Sequence, residues 1–163
     1  INSNKFSFDA AIAIYPYCGF TFPDNFTTST PLLMITGKKD MLTPEQACRN
    51  FYSKFFRGDG KIKHISLDEA HHGYDNPFLY FGFTIDTLPS LIITNDACTL
   101  TISEKGRIIT MTKKDVSSTD TSNEFLKQCS KKGVEIKYNE GAAKKTKKII
   151  FRRYKSQNRL GLC

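Results

Sequence analysis

The first half of the chain carries three short apolar runs whose shape predicts strands covered on both faces. Residues 8–15, FDAAIAIY, form one such run, which Pro16 ends. Residues 31–37, PLLMITG, form a second, and residues 62–67, IKHISL, a third. Near-continuous apolar runs of this length suit a parallel sheet better than a half-exposed antiparallel one. In the third run Ile62, His64 and Ser66 share one face, and Lys63, Ile65 and Leu67 the other. Between the second and third runs, LTPEQACRNFYSKFF switches period: Ala47, Phe51 and Phe55 recur at helical spacing, with Cys48 and Tyr52 beside them. That is the apolar stripe of a helix lying on a sheet. Thr43 suits the N-cap, Pro44 the first helical position and Glu45 the positive end of the helix dipole. Gly58 and Gly60 are expected to end it. Strand, helix and strand with short connections predict a parallel α/β sheet.

After Pro77 the pattern changes. Residues 78–97 are apolar without a regular period. Residues 98–112, CTLTISEKGRIITMT, alternate around Glu104-Lys105-Gly106 and predict a β-hairpin. The polar stretch 115–123 reads as a loop, and EFLKQCSKKG as a short helix closed by Gly133. Asn139 can cap a closing helix at about 139–153, with Ala142, Ala143, Ile149, Ile150 and Phe151 as its apolar face. The residues after Lys155 are expected to fray, and no internal repeat is visible.

The length of 163 residues is about one domain's worth, and 39% hydrophobic content is enough to bury a core. Thirteen Phe and seven Tyr with no Trp make that core Phe-rich. No stretch approaches the ~20 apolar residues of a membrane span. The opening residues lack the basic start, apolar run and cleavage site of a signal peptide and read as the interior of a longer sequence. The formal charge is +8, and much of it sits late, in Lys144, Lys145, Lys147, Lys148, Arg152, Arg153, Lys155 and Arg159. With no nucleic-acid module alongside, this reads as a solvated helix face rather than a nucleic-acid or membrane surface. The five cysteines, Cys18, Cys48, Cys98, Cys129 and Cys163, include no CxxC pair, which argues against a zinc ribbon or redox motif. Their spacing alone does not decide between disulfides and buried thiols.

Two loops carry candidate chemistry. Gly37-Lys38-Lys39-Asp40-Met41-Leu42-Thr43-Pro44 follows the second strand, and Glu69-Ala70-His71-His72-Gly73-Tyr74-Asp75-Asn76-Pro77 follows the third. Ligands of open α/β sheets gather at the carboxyl ends of the strands, so Asp40 and His72 are expected at one edge, on neighbouring strands. A carboxylate there can hold an imidazole in one tautomer and stabilise its charged form. Asp75 and Asn76 are expected to fix the histidine loop, and His71 to be a partly exposed loop residue. A metal site from His64, His71, His72 and Asp75 is disfavoured, because adjacent histidines do not easily address one tetrahedral ion.

In these residues the chain resembles the second half of a dienelactone hydrolase family member. The matching positions are Tyr15-Pro16 at the end of a strand, Gly37 with Asp40 and Pro44, Ala70 with His72 and Tyr74-Asp75, and Tyr138-Asn139 with Ala142-Ala143. The resemblance covers residues 8–77 and 138–152, leaving about 78–137 as an insertion. It implies the C-terminal half of an α/β-hydrolase sheet, with parallel strands, flanking helices and a small insertion that includes a hairpin. It implies that His72 is the general base of a catalytic triad, that Asp40 orients it, and that the substrate is a carboxylic ester or lactone. It implies no cofactor and no metal. Neither G-x-S-x-G nor G-x-C-x-G occurs in these residues, and Ser29 and Ser66 lie in no strand–turn–helix setting. The nucleophile is therefore expected outside this sequence, and the chain by itself is expected to be inactive.

The resemblance also implies a bridge between Cys18 and Cys48, with Cys98 and Cys129 then stapling the insertion and Cys163 left free. Such bridges would place the protein in a periplasm or outside the cell, whereas free cysteines would place it in the cytosol. Expected partners are the small-molecule substrate and either an N-terminal half on a separate chain or a second copy added along the open first strand. No nucleic acid or membrane partner is expected. The competing reading is a non-catalytic binder that uses the basic C-terminal face for an anionic partner.

Overall fold

The computed structural model describes residues 8–21, 30–55, 61–91, 98–103 and 105–158. The expectations for Ser29, Gly58, Gly60, Glu104, Arg159 and Cys163 fall outside that range. The protein is mixed α/β, and its centre is a parallel sheet. Strand β1 (Ala11–Ile14) pairs with β3 (Leu32–Gly37), which pairs in turn with β4 (Ile62–Leu67). Helix α1 (Glu45–Phe55) crosses between β3 and β4. The short strand β2 (Phe20–Thr21) follows β1.

Alternation along the strands sends the two sets of side chains to different cores. Met34 and Ile62 meet Phe55 of α1, with Leu32, Phe51, Tyr52 and Cys18 packed around them. Leu33, Ile35 and Leu67 point the other way, toward Ala142, Ile149 and Ile150 of helix α3 (Glu140–Asn158). This two-sided burial explains why the strands carry unbroken apolar runs. On the α1 side, the His64 ring nitrogen Nε2 lies 2.8 Å from Thr36 Oγ1, with the Tyr52 ring 6.1 Å away. Burial holds the His64 pKa below its ordinary value; the nearby Glu45 works against that shift and Arg49 with it. The unfolded chain therefore takes up this proton first as pH falls. Stability is expected to drop between the usual imidazole range and the lower folded value. Urea unfolding at neutral and mildly acidic pH checks this: His64→Gln should flatten the fall, and an equal fall in both proteins would exclude His64 as its source.

The segment from Pro77 to Ile136 adds two smaller sheets. Strand β5 (Phe83–Leu91) pairs antiparallel with β8 (Ser130–Ile136), and β6 (Leu100–Ile102) pairs antiparallel with β7 (Ile108–Thr110). Strand β2 joins β6 in parallel. The expected hairpin at 98–112 is thus present as β6 and β7. Within the irregular apolar stretch, a 3-10 turn, Pro77–Leu79, is followed by β5, and residues 92–97 lie outside the described residues. Helix α2 spans Thr119–Cys129, whereas the sequence predicts a helix at 124–133 closed by Gly133. Ser118 accepts the Thr121 amide, and Thr121 Oγ1 accepts the Ser118 amide, a reciprocal cap that starts the helix inside the presumed polar loop. Gly133 lies inside β8 at φ +95°, beside the register shift between Ile85 and Pro89. Cys98, Leu100, Val116, Phe125 and Cys129 form a core of this segment's own.

Both disulfides form. Cys18 bridges to Cys48 with 4.8 Å between Cα atoms, and Cys98 to Cys129 with 5.3 Å. The first ties the chain after β1 to α1, and the second ties the start of the insertion's core to the end of α2. Two bridges favour an oxidising environment. With sequence separations of 30 and 31, each is expected to add roughly 3–4 kcal/mol by restricting the unfolded chain. Thiol labelling should find four more reactive cysteines after reduction, with a lower thermal midpoint; labelling that does not change on reduction would contradict both bridges.

Candidate active site

Two loops leave the carboxyl ends of β3 and β4 and are laced together by backbone bonds. The Lys38 amide donates to the Leu67 carbonyl at 2.9 Å, and the Lys39 amide to the Ala70 carbonyl at 3.1 Å. Gly37 is required where they cross, because a Cβ there would lie 2.1 Å from the Ala70 carbonyl oxygen. Exposed ion pairs from Lys38 to Asp68 and from Lys39 to Glu69 run parallel to this lacing. Such solvent-exposed pairs are screened by water and contribute little to stability.

The lacing brings Asp40 and His72 together, with Asp40 Oδ2 2.9 Å from His72 Nδ1. The Asp40 side chain is fully buried, and His72 keeps 23% of its side-chain surface. Asp40 Oδ1 accepts the amides of Leu42 and Thr43 at 2.9 and 2.8 Å, and Oδ2 accepts the Thr43 hydroxyl at 2.8 Å. Thr43, read from the sequence as a helix N-cap, instead turns its hydroxyl onto this carboxylate. Because a carboxylate only accepts, Nδ1 of His72 must carry a hydrogen, which makes Nε2 the free, basic nitrogen of the neutral ring. Among the described residues no hydrogen bond reaches Nε2. The pair is thus built to take a proton at Nε2 while Asp40 stabilises the resulting cation.

Tyr15 closes the other side of the histidine. Its ring centroid lies 4.5 Å from that of His72, and its hydroxyl donates to Asp75 Oδ1 at 3.0 Å. Burial first, and then the bond to Asp75, push the Tyr15 pKa up to about 12, so the hydroxyl stays a donor throughout the neutral range. Tyr15 sits at φ +39°, a left-handed conformation that costs a tyrosine of order 1–3 kcal/mol. Asp75 thus fixes the histidine loop through Tyr15. Asn76 does so by accepting the Phe78 amide at the start of the 3-10 turn. Helix α3 seats the same loop: the Asn139 amide donates to the Tyr74 carbonyl, Asn139 Nδ2 to the Glu69 carbonyl, and the Ala142 amide to Asn139 Oδ1. Asn139 is therefore the expected cap and a loop anchor as well. The Tyr74 hydroxyl, fully buried, bonds Thr146 of α3 at 2.8 Å.

Comparison with protein-family models, with curated proteins and with solved structures finds no match.

Other candidate residues separate from the pair. His71 is a partly exposed loop residue, as the sequence predicts: its side chain is 12% exposed, and Nδ1 lies 3.7 Å from Glu135 Oε2 of β8. His64 faces α1, away from the loop. Among the described residues no group of three or more His, Cys, Asp or Glu side chains converges as metal ligands. Ser66 Oγ is buried in β4 without a hydrogen-bond partner among the described residues. Phe151, assigned from the sequence to the apolar face of α3, is 58% exposed, while Thr146 takes a core position instead. Sequence reading passed over the roles of Tyr15 and Thr43. The available signals were a tyrosine between an apolar strand and a proline, and a threonine three residues after the aspartate.

Proposed function

We propose that the chain is the C-terminal part of an α/β-hydrolase domain of the dienelactone hydrolase kind, and that the domain cleaves carboxylic esters or lactones. The observation that carries this reading is the fully buried Asp40 carboxylate holding Nδ1 of a part-exposed His72 at the carboxyl ends of adjacent parallel strands. His72 Nε2 removes the proton from a serine hydroxyl or cysteine thiol on sequence outside these residues. That nucleophile adds to the substrate carbonyl carbon, and His72 returns the proton to the departing alkoxide oxygen as the C–O bond breaks. His72 then deprotonates a water, which releases the acyl group as a carboxylic acid and restores the nucleophile. No step needs a metal or an organic cofactor.

The insertion contributes substrate selection, because β8 reaches the histidine loop directly. His72 forms an isolated bridge with Ile136, and its carbonyl accepts the Lys137 amide at 3.3 Å. The two disulfides support a periplasmic or extracellular setting. The protein in the form its source makes should turn over short-chain p-nitrophenyl esters, with a burst of nitrophenol matching the enzyme concentration. Absence of turnover across esters and lactones would overturn the assignment. The competing reading, a binder without catalysis, draws on the exposed Lys144, Lys145, Lys147, Lys148 and Arg152 of α3. It predicts salt-sensitive binding to an anionic partner and no ester turnover.

A further inference from the structure

We propose that Tyr15 is a positioning residue for His72, one whose ring walls the imidazole so that Nδ1 stays on Asp40 and Nε2 keeps one direction. Nδ1 lies 2.9 Å from Asp40 Oδ2 and 3.4 Å from Thr43 Oγ1, so both contacts hold the ring at one atom, and the imidazole can swing about that end unless something flanks its plane. The Tyr15 ring supplies the flank at 4.5 Å, inclined 52° to the imidazole. Its other contacts go to the same loop: an edge-on contact with Tyr74 at 5.8 Å and the hydroxyl bond to Asp75. The backbone contact of Tyr15, its amide on the Ile35 carbonyl at 2.7 Å, ties the residue to the end of β3. A glycine would occupy φ +39° without penalty, so the contacts of the tyrosine side chain have to offset the strain of its backbone.

The orientation claim stands without catalysis, whereas its effect on rate rests on the hydrolase reading. The full chain with both disulfides closed, labelled with 15N at histidine, tests the first. Long-range 1H–15N spectra at pH 8 should show His72 as a single Nδ1–H tautomer. Tyr15→Gly keeps the backbone comfortable and removes the ring; His72 should then show mixed tautomers and a fast-exchanging Nδ1 hydrogen. Tyr15→Phe should keep the native signature. If the glycine variant loses its fold, Tyr15→Leu carries the same comparison. A native His72 signature in the folded glycine or leucine variant would overturn the proposal. In the ester-cleaving protein, Tyr15→Gly should lower kcat by about 10²-fold at unchanged KM, with Tyr15→Phe restoring most of it. Equal losses in the two variants would also overturn it. A parent protein that cleaves no ester would remove the hydrolase reading and leave the spectra to decide Tyr15.

Discussion

Replacing His72 by alanine is expected to lower ester turnover by about 10⁴-fold or more while leaving the fold intact. The size follows from what the side chain does. On the proposed hydrolase reading, Nε2 is the proton acceptor that the buried Asp40 positions, and without it the nucleophile would stay protonated at neutral pH. The fold should survive because His72 contributes little to either core: it lies outside the clusters around Ile35 and Met34, and its backbone bonds to β8 do not depend on the imidazole. Asp40 should then be left with bonds from Leu42 and Thr43 alone, so a modest stability change is acceptable and large unfolding is not. Steady-state kinetics beside a urea unfolding curve measures both. Turnover within tenfold of the parent would show that another group is the base.

Substituting Gly37 by alanine should damage the site without touching a reacting group. The new methyl would arrive 2.1 Å from the Ala70 carbonyl oxygen and 2.7 Å from its carbon, and both are backbone atoms that no rotamer change can move away. The crossing must open, which pulls the histidine loop off the acid loop. Overpacking of this kind costs about 3 kcal/mol, a large share of a typical domain's stability. A separation of about 1 Å between Asp40 and His72 should add a loss near 10²-fold in kcat. Thermal unfolding and kcat together check this. A variant with parental values for both would mean that the loops do not cross here.

The pair that organises the site was legible in the sequence because the determinants are local. An apolar run ending in Gly37 and another ending in Leu67 each place a loop at the same edge of a parallel sheet, and a parallel register then brings Asp40 and His72 into reach. Helix α1 was legible from its stripe of Ala47, Phe51 and Phe55, and α3 from Asn139 and the alanine pair. The insertion was much less so. Its helix opens in the polar run around Ser118, where only the reciprocal bonds with Thr121 reveal a start. Its strand β8 carries two lysines and a glycine among its seven residues, SKKGVEI, and becomes a strand by pairing with β5 some 45 positions earlier. No local propensity encodes that partner. Tyr15 was invisible for a related reason: its partners His72, Tyr74 and Asp75 are supplied by a distant loop, and its backbone conformation is unfavourable for its own residue type.

The chain leaves the histidine loop at Gly82 and comes back at Lys137, and these two residues lie side by side: a methyl on Gly82 would stand 3.0 Å from the Lys137 side chain. The segment between them leaves and returns at this one neck, and meets the first half of the chain again where β6 pairs with β2. The intervening fifty-odd residues, with their internal Cys98–Cys129 staple, can therefore vary as a unit provided the pairing of β6 with β2 is kept. On the proposed hydrolase reading, differences in substrate would accumulate in that segment while the parallel sheet that carries Asp40 and His72 stays as it is.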